Sequence, residues 1–169
     1  LEYNISISPT ANDGNYDLIV RARQPAETGV WVSDNKTGAV IVDNKAPTGT
    51  VSLDMITISR EWNEVIVTIT YDEEMDVQYD LLIIISGSIH PLTSHGDGQW
   101  ITNDTWQETF YHNCDAEETE NVRVESSDAR DLAGNVEGPC IPAFFNIDTA
   151  SPFAIVAVDK EHINKSNRT

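Results

Sequence analysis

Positive charge is scarce in this chain. Ten Lys plus Arg stand against 28 Asp plus Glu, a net charge of −18 over 169 residues. Such a surface repels phosphate backbones, so nucleic acid is excluded as an expected partner. Long apolar runs are missing as well. The best, Leu81 to Ile85, falls far short of the roughly 20 residues a membrane-spanning helix needs, and no membrane insertion is expected. Cysteine is limited to Cys114 and Cys140, with no CxxC pair. Two thiols permit one disulfide in an oxidising compartment.

The usual catalytic and metal signatures are also lacking. The four histidines, His90, His95, His112 and His162, include no His-Glu-x-x-His spacing. His112 with Cys114 is only a pair, whereas zinc takes three or four protein ligands. No Gly-x-Ser-x-Gly elbow and no phosphate-cradling glycine loop occurs. Glu73, Glu74 and Asp76 lie on one short stretch, so they do not oppose each other across a sugar at the roughly 5–10 Å a glycosidase pair requires. No enzymatic activity is expected. Leu1 in place of Met, with no charged-then-apolar leader, is what an internal piece of a longer chain would show.

What is present is enough apolar material for a core, 40% of residues, arranged in strand grammar. Val65, Val67, Ile69 and Tyr71 fall on one face of a strand, and Ile66, Thr68 and Thr70 on the other. Leu81 to Ile85 reads as an apolar strand covered on both sides. Trp106 with Phe110, Val122 with Val124, and Ala143 to Ile147 mark further strands. Helical spacing is sustained nowhere. Short strands punctuated by Gly, Pro, Asn and Asp predict an all-β fold of antiparallel sheets packed as a β-sandwich.

Five Asn-x-Ser/Thr sequons begin at Asn4, Asn35, Asn103, Asn164 and Asn167. Random placement of 13 Asn among 27 Ser plus Thr gives about two. The excess suggests a glycosylated extracellular surface; the alternative is chance in a Thr-rich β protein.

An internal repeat sets the boundaries. The stretch Val42–Asp54 (VDNKAPTGTVSLD) aligns without gaps onto Ile147–Asp159 (IDTASPFAIVAVD). Asp43 matches Asp148, Pro47 matches Pro152 and Asp54 matches Asp159, each pair 105 positions apart. Residues 44–147 are therefore expected to be one complete repeat. Residues 1–43 would be the last strands, about three, of a preceding repeat, with Tyr16 to Ala22 leading through a loop into Gly38 to Val42. Residues 148–169 would supply the first strand of the next.

The runs VIVTITYDEEMD (65–76), EETENVRVESSDARDLAGN (117–135) and FFNIDTASP (144–152) resemble the immunoglobulin-like, Big-type repeats of large bacterial surface and adhesin proteins. The most diagnostic part is Asp-Leu-Ala-Gly-Asn, then a strand, then Ile-Asp-Thr-x-x-Pro. The resemblance covers roughly residues 44–152 and implies an immunoglobulin-like sandwich. It implies a structural spacer or filament-building role at a cell surface, with adjacent repeats or copies of the same protein as partners. It says little about ligand, since such folds carry many functions. Two departures stand out. Asn44 and Lys45 intervene where the family linker has Thr before Ala-Pro, and the loop following Tyr16 to Ala22 lacks the Ala-Gly-Asn core.

In such a sandwich, three distant segments reach one pole. They carry Asp43 with Asn44, then Asp72, Glu73, Glu74 and Asp76, then Asp128, Asp131 and Asn135. Converging carboxylates repel unless a hard cation with six to eight oxygen ligands sits among them, and calcium is the expected ion. Asp43, Glu73 and Asp131 are the selected ligands. The bland alternative is a solvated acidic surface, and Gly134-Asn135 reads better as a tight turn than as ligation. A rival function is a carbohydrate- or matrix-binding adhesin module, with Trp100, Trp106 and Tyr111 stacking a sugar beside Asp97 and Asp104. Those aromatics would otherwise fill the core. The fold implied by the resemblance puts Cys114 and Cys140 at opposite poles, which resists the pairing their number suggests.

Overall fold

The computed structural model describes residues 8, 10–23, 31–114 and 119–157. Within them the chain is all β, with no helix, and eleven strands form three sheets. Strands β1 (Gly14–Arg23) and β2 (Trp31–Val42) make an antiparallel hairpin of their own. Nine more follow. They are β3 (Gly49–Leu53), β4 (Thr57–Ile58), β5 (Glu64–Tyr71), β6 (Leu82–Ser86), β7 (Thr93–Ser94), β8 (Gln99–Trp100), β9 (Thr105–Tyr111), β10 (Thr119–Ser127) and β11 (Ala143–Asp148).

These nine split between two sheets. One has the order β4-β11-β10-β6; the other runs β3-β5-β9-β7, with β8 also on β9. All pairings are antiparallel except β4 on β11. A parallel bridge from Thr50 to Ile141 links β3 to the approach of β11.

The alternation read from the sequence places the core. Val65, Val67, Ile69 and Tyr71 of β5 are buried, and the intervening residues are not. Trp106 and Phe110 of β9 join them from the same sheet, while Val122 and Val124 of β10 and Phe145 and Ile147 of β11 join from the other. One cluster thus lies between two sheets, an arrangement compatible with a β-sandwich. Each fully buried side chain of this size contributes roughly 1.5–3 kcal/mol, before the entropy of ordering it is subtracted.

Four expectations change. Leu81 to Ile85 is not covered on both faces: β6 is the last strand of its sheet, Ile83 and Ile85 pack on the core, and Leu82 is 53% exposed. The second strand of the N-terminal piece starts at Trp31 rather than Gly38, because cross-strand pairing with β1 extends that far. That piece shows two strands rather than three among the described residues. The C-terminal stretch 149–157 forms no strand, and Phe153, Ile155 and Val156 are exposed. Its match, β3, is a strand because β5 lies alongside; residues 151–157 have no such neighbour among the described residues. The matched Asp159 lies outside them.

Candidate functional site: an acidic junction

Asp43 follows the last residue of β2, and β3 begins six residues later, so the linker sits where the hairpin meets the two-sheet domain. Two loops of that domain reach it. The loop after β5 brings Asp72 and Glu73; the loop after β10 brings Asp131 and Asn135. They are held together through Met75, which is 1% exposed and forms a bridge to Asp131. The Asp76 N–H also donates to the Arg130 carbonyl at 2.8 Å.

The second loop is built on Asp131. Its Oδ1 accepts the N–H groups of Ala133 and Asn135, both at 2.8 Å, and its Oδ2 accepts the Asn135 side-chain amide at 2.8 Å. Gly134, at φ +89°, closes the turn, so the expected use of positive φ holds there. Asn135 also donates from Nδ2 to the Asp43 carbonyl at 3.2 Å. It is a clasp within the turn and onto the linker.

Asp43, Glu73 and Asp131 each present a carboxylate oxygen, all within 4.8 Å of one another. They open on a cavity of about 290 Å3 lined also by Ile41, Glu74, Leu132 and Ala133. The three carboxylates selected from sequence are therefore brought together; Asp76 and Asp128 are not part of this group. Burial pushes the Glu73 carboxyl above its usual value, Lys45 opposes the shift, and the charges of Asp43 and Asp131 add to it. The arrangement can take a hard cation through three carboxylates, with water completing the shell.

Sequence reasoning missed Lys45. Its Nζ lies 2.6 Å from Asp72 Oδ2 and 3.4 Å from Glu73 Oε1. The Lys45 ammonium, with the Thr48 N–H, holds Asp72 below the ordinary carboxylate range. The carboxylates are thus partly compensated from within the chain. Asn44, expected beside Asp43 at the acidic pole, instead ties the linker back to the hairpin. Its N–H and Nδ2 donate to Asp13 Oδ1 at 2.9 and 2.8 Å, and Nδ2 also donates to the Ala11 carbonyl at 3.0 Å.

A half-buried carboxylate, Glu137, also escaped the sequence. Glu137 accepts from Ser126 Oγ, from Tyr71 Oη at 3.2 Å and from the Ala129 N–H at 3.4 Å. Burial raises the Glu137 carboxyl, and burial likewise raises the Tyr71 hydroxyl. Gly49 makes room for it: a Cβ there would stand 2.9 Å from Glu137 Oε1.

The remaining candidates fall as follows. Trp106 is 7% exposed and faces the core, while Trp100 is half-buried, 5.8 Å from the Tyr71 ring, with its Nε1 on the Tyr79 carbonyl. Tyr111 stacks edge-on with His95 at 5.1 Å. Asp97 is engaged by Thr109, and Asp104 by Thr102 and Thr105. No disulfide joins the two cysteines: Cys114 sits beside His112 and Ser59, and Cys140 beside the Ile141 carbonyl. Asn35 and Asn103 are exposed; Asn4, Asn164 and Asn167 lie outside the described residues, as does His162. No protein-family model, curated protein or solved structure matches the chain.

Proposed function

We propose that the chain is a spacer and assembly repeat of a long extracellular surface or filament protein, made of immunoglobulin-like sandwiches joined end to end. The observation that carries this reading is the lacing of the linker on both sides. Asn44 ties it back to Asp13 and Ala11, while the Asp43 carbonyl and the Lys45 ammonium tie it forward to Asn135, Asp72 and Glu73. A linker bonded to both neighbours transmits direction, as a rod needs. Strand order supports the immunoglobulin-like assignment: the first segment is divided, β3 lying in one sheet and β4 in the other beside the last strand. The exposure of Asn35 and Asn103 agrees with a glycan-bearing surface.

Calcium is the ion assigned to Asp43, Glu73 and Asp131, where it would replace mutual repulsion by shared coordination. The rival adhesin reading has less support, since Trp106 turns inward and Trp100 is half-covered. The test is thermal melting with calcium and with chelator. Extracellular calcium modules bind at about 0.1–1 mM, so ~5 mM calcium should add about 1–2 kcal/mol, or roughly 4–16 °C. An equal response to magnesium, or none at all, would remove calcium from the proposal. The spacer reading fails separately if small-angle scattering of two tandem repeats fits a flexible coil.

A further inference from the structure

A second depression, of about 310 Å3, lies away from the junction and outside the proposed function. It is lined by Asp54, Met55, Glu61, Trp62, Asn63, Glu64, Ile66 and Thr109. Trp62 is 65% exposed, although a large aromatic gains most when buried. Its backbone is fixed by the preceding turn. The Ser59 N–H donates to the Trp62 carbonyl at 2.8 Å, and the Trp62 N–H donates to Ser59 Oγ at 3.1 Å. Next to it, Asn63 exchanges bonds with His112: the His112 N–H donates to the Asn63 carbonyl at 2.9 Å, and Asn63 Nδ2 donates to the His112 carbonyl at 3.0 Å.

Acceptors outnumber donors in the lining, whose remaining side-chain donors are the Trp62 indole N–H and the Asn63 amide. Asn63 Nδ2 is turned to His112, and Thr109 Oγ1 donates to Asp97 Oδ2 at 2.7 Å. Asp54 spends one oxygen on the Ile66 N–H at 2.7 Å, which leaves its other oxygen, Glu61 and Glu64 as carboxylate acceptors. His95 Nε2 approaches Glu64 at 3.4 Å from outside the lining, and the neighbouring Arg60 is turned to the Thr149 carbonyl at 2.8 Å. Three carboxylates with no cationic side chain in the lining favour a cation over a neutral saccharide. A cation with an apolar stem needs only acceptors, an aromatic face and an apolar floor, and all three are here.

We propose that this depression binds an organic cation of the arginine or lysine type. The stem would lie on Met55 and Ile66, and the head would meet Trp62 between the carboxylates of Asp54, Glu61 and Glu64. The source is either a basic peptide segment or a free amine. The test is titration of the isotope-labelled protein at low salt, following the backbone amide resonances of Glu61, Asn63 and Glu64, which remain in every variant. The probes are Nα-acetyl-arginine amide, an arginine-containing tetrapeptide and neutral glucose. Saturation by the arginine probes at millimolar concentration, weakened several-fold by salt, is expected. Tighter binding of the tetrapeptide assigns a peptide source; equal binding assigns a free amine. Trp62→Ala should weaken binding about fivefold and Trp62→Phe much less, with the melting temperature unchanged because the ring is exposed. The double variant Glu61→Gln/Glu64→Gln should lose most of the salt dependence, the rest belonging to Asp54. Saturation by glucose instead, binding that survives Trp62→Ala, or no saturation by any probe overturns the proposal.

Discussion

Replacing Asp131 by Ala tests the construction of the acidic junction. Asp131 is 2% exposed and accepts three hydrogen bonds, from the Ala133 and Asn135 N–H groups and from Asn135 Nδ2. Ala removes every acceptor at once. A buried donor left without a partner costs about 1–3 kcal/mol, but Ala133 is exposed and Asn135 half-buried, so water replaces part of the loss. The low end for each bond, about 2–3 kcal/mol in all, is the expected destabilisation. For a domain of this size that lowers the melting temperature by roughly 10–20 °C. Asp131→Asn separates charge from hydrogen bonding. Its carbonyl oxygen still serves the two backbone N–H groups, while its amide meets the Asn135 donor, at a cost of about 1 kcal/mol. Thermal and urea melts of both variants give the difference directly. An Ala variant melting within about 3 °C of the parent would refute the claim that this carboxylate organises the loop. Both variants should lose the calcium response, including Asp131→Asn, which keeps the turn.

Lys45→Met should strengthen calcium binding at the junction, because the ammonium now beside Asp72 and Glu73 competes with an incoming cation; weaker binding in calorimetric titration would contradict that. Gly87 has φ +96°, and a Cβ there would stand 2.6 Å from the Asn121 carbonyl oxygen of β10, so Gly87→Ala should cost about 3 kcal/mol or more in a urea melt. Burial raises the folded-state pKa of Glu137 above its ordinary 4.5. Its contribution to stability is therefore fully present below 4.5 and is lost as pH rises through the raised value. Glu137→Gln should flatten stability against pH above 4.5, and an unchanged slope would show that the group does not titrate in the fold.

Much of the fold was legible because β periodicity is local. Alternation in residues 65–71 already separates the inward from the outward side chains of β5, and the same holds for Trp106 with Phe110 and Val122 with Val124. The short strands β4, β7 and β8 carry two residues each, too few to show any period, and they exist because a neighbour pairs with them. The exposed outer side of β6 was equally hidden. An apolar run reads the same at a sheet edge as in its middle, and only the strand order distinguishes them.

The junction divides along the same line. By itself the sequence determined the gapless match of residues 42–54 onto 147–159, which carries Asp43 onto Asp148 with no coordinates needed. Glu73 and Asp131 were chosen to join Asp43 from the topology that the family resemblance implied, and the three carboxylates do meet. Tertiary structure alone decided what surrounds them. Lys45 reaches Asp72 and Glu73, Asn44 reaches Asp13, and Glu137 finds Tyr71 and Ser126 across loops far apart in the chain. Hydrogen bonds and ion pairs act over a few ångströms between groups with no fixed spacing in sequence, so the chain must close before they can be assigned.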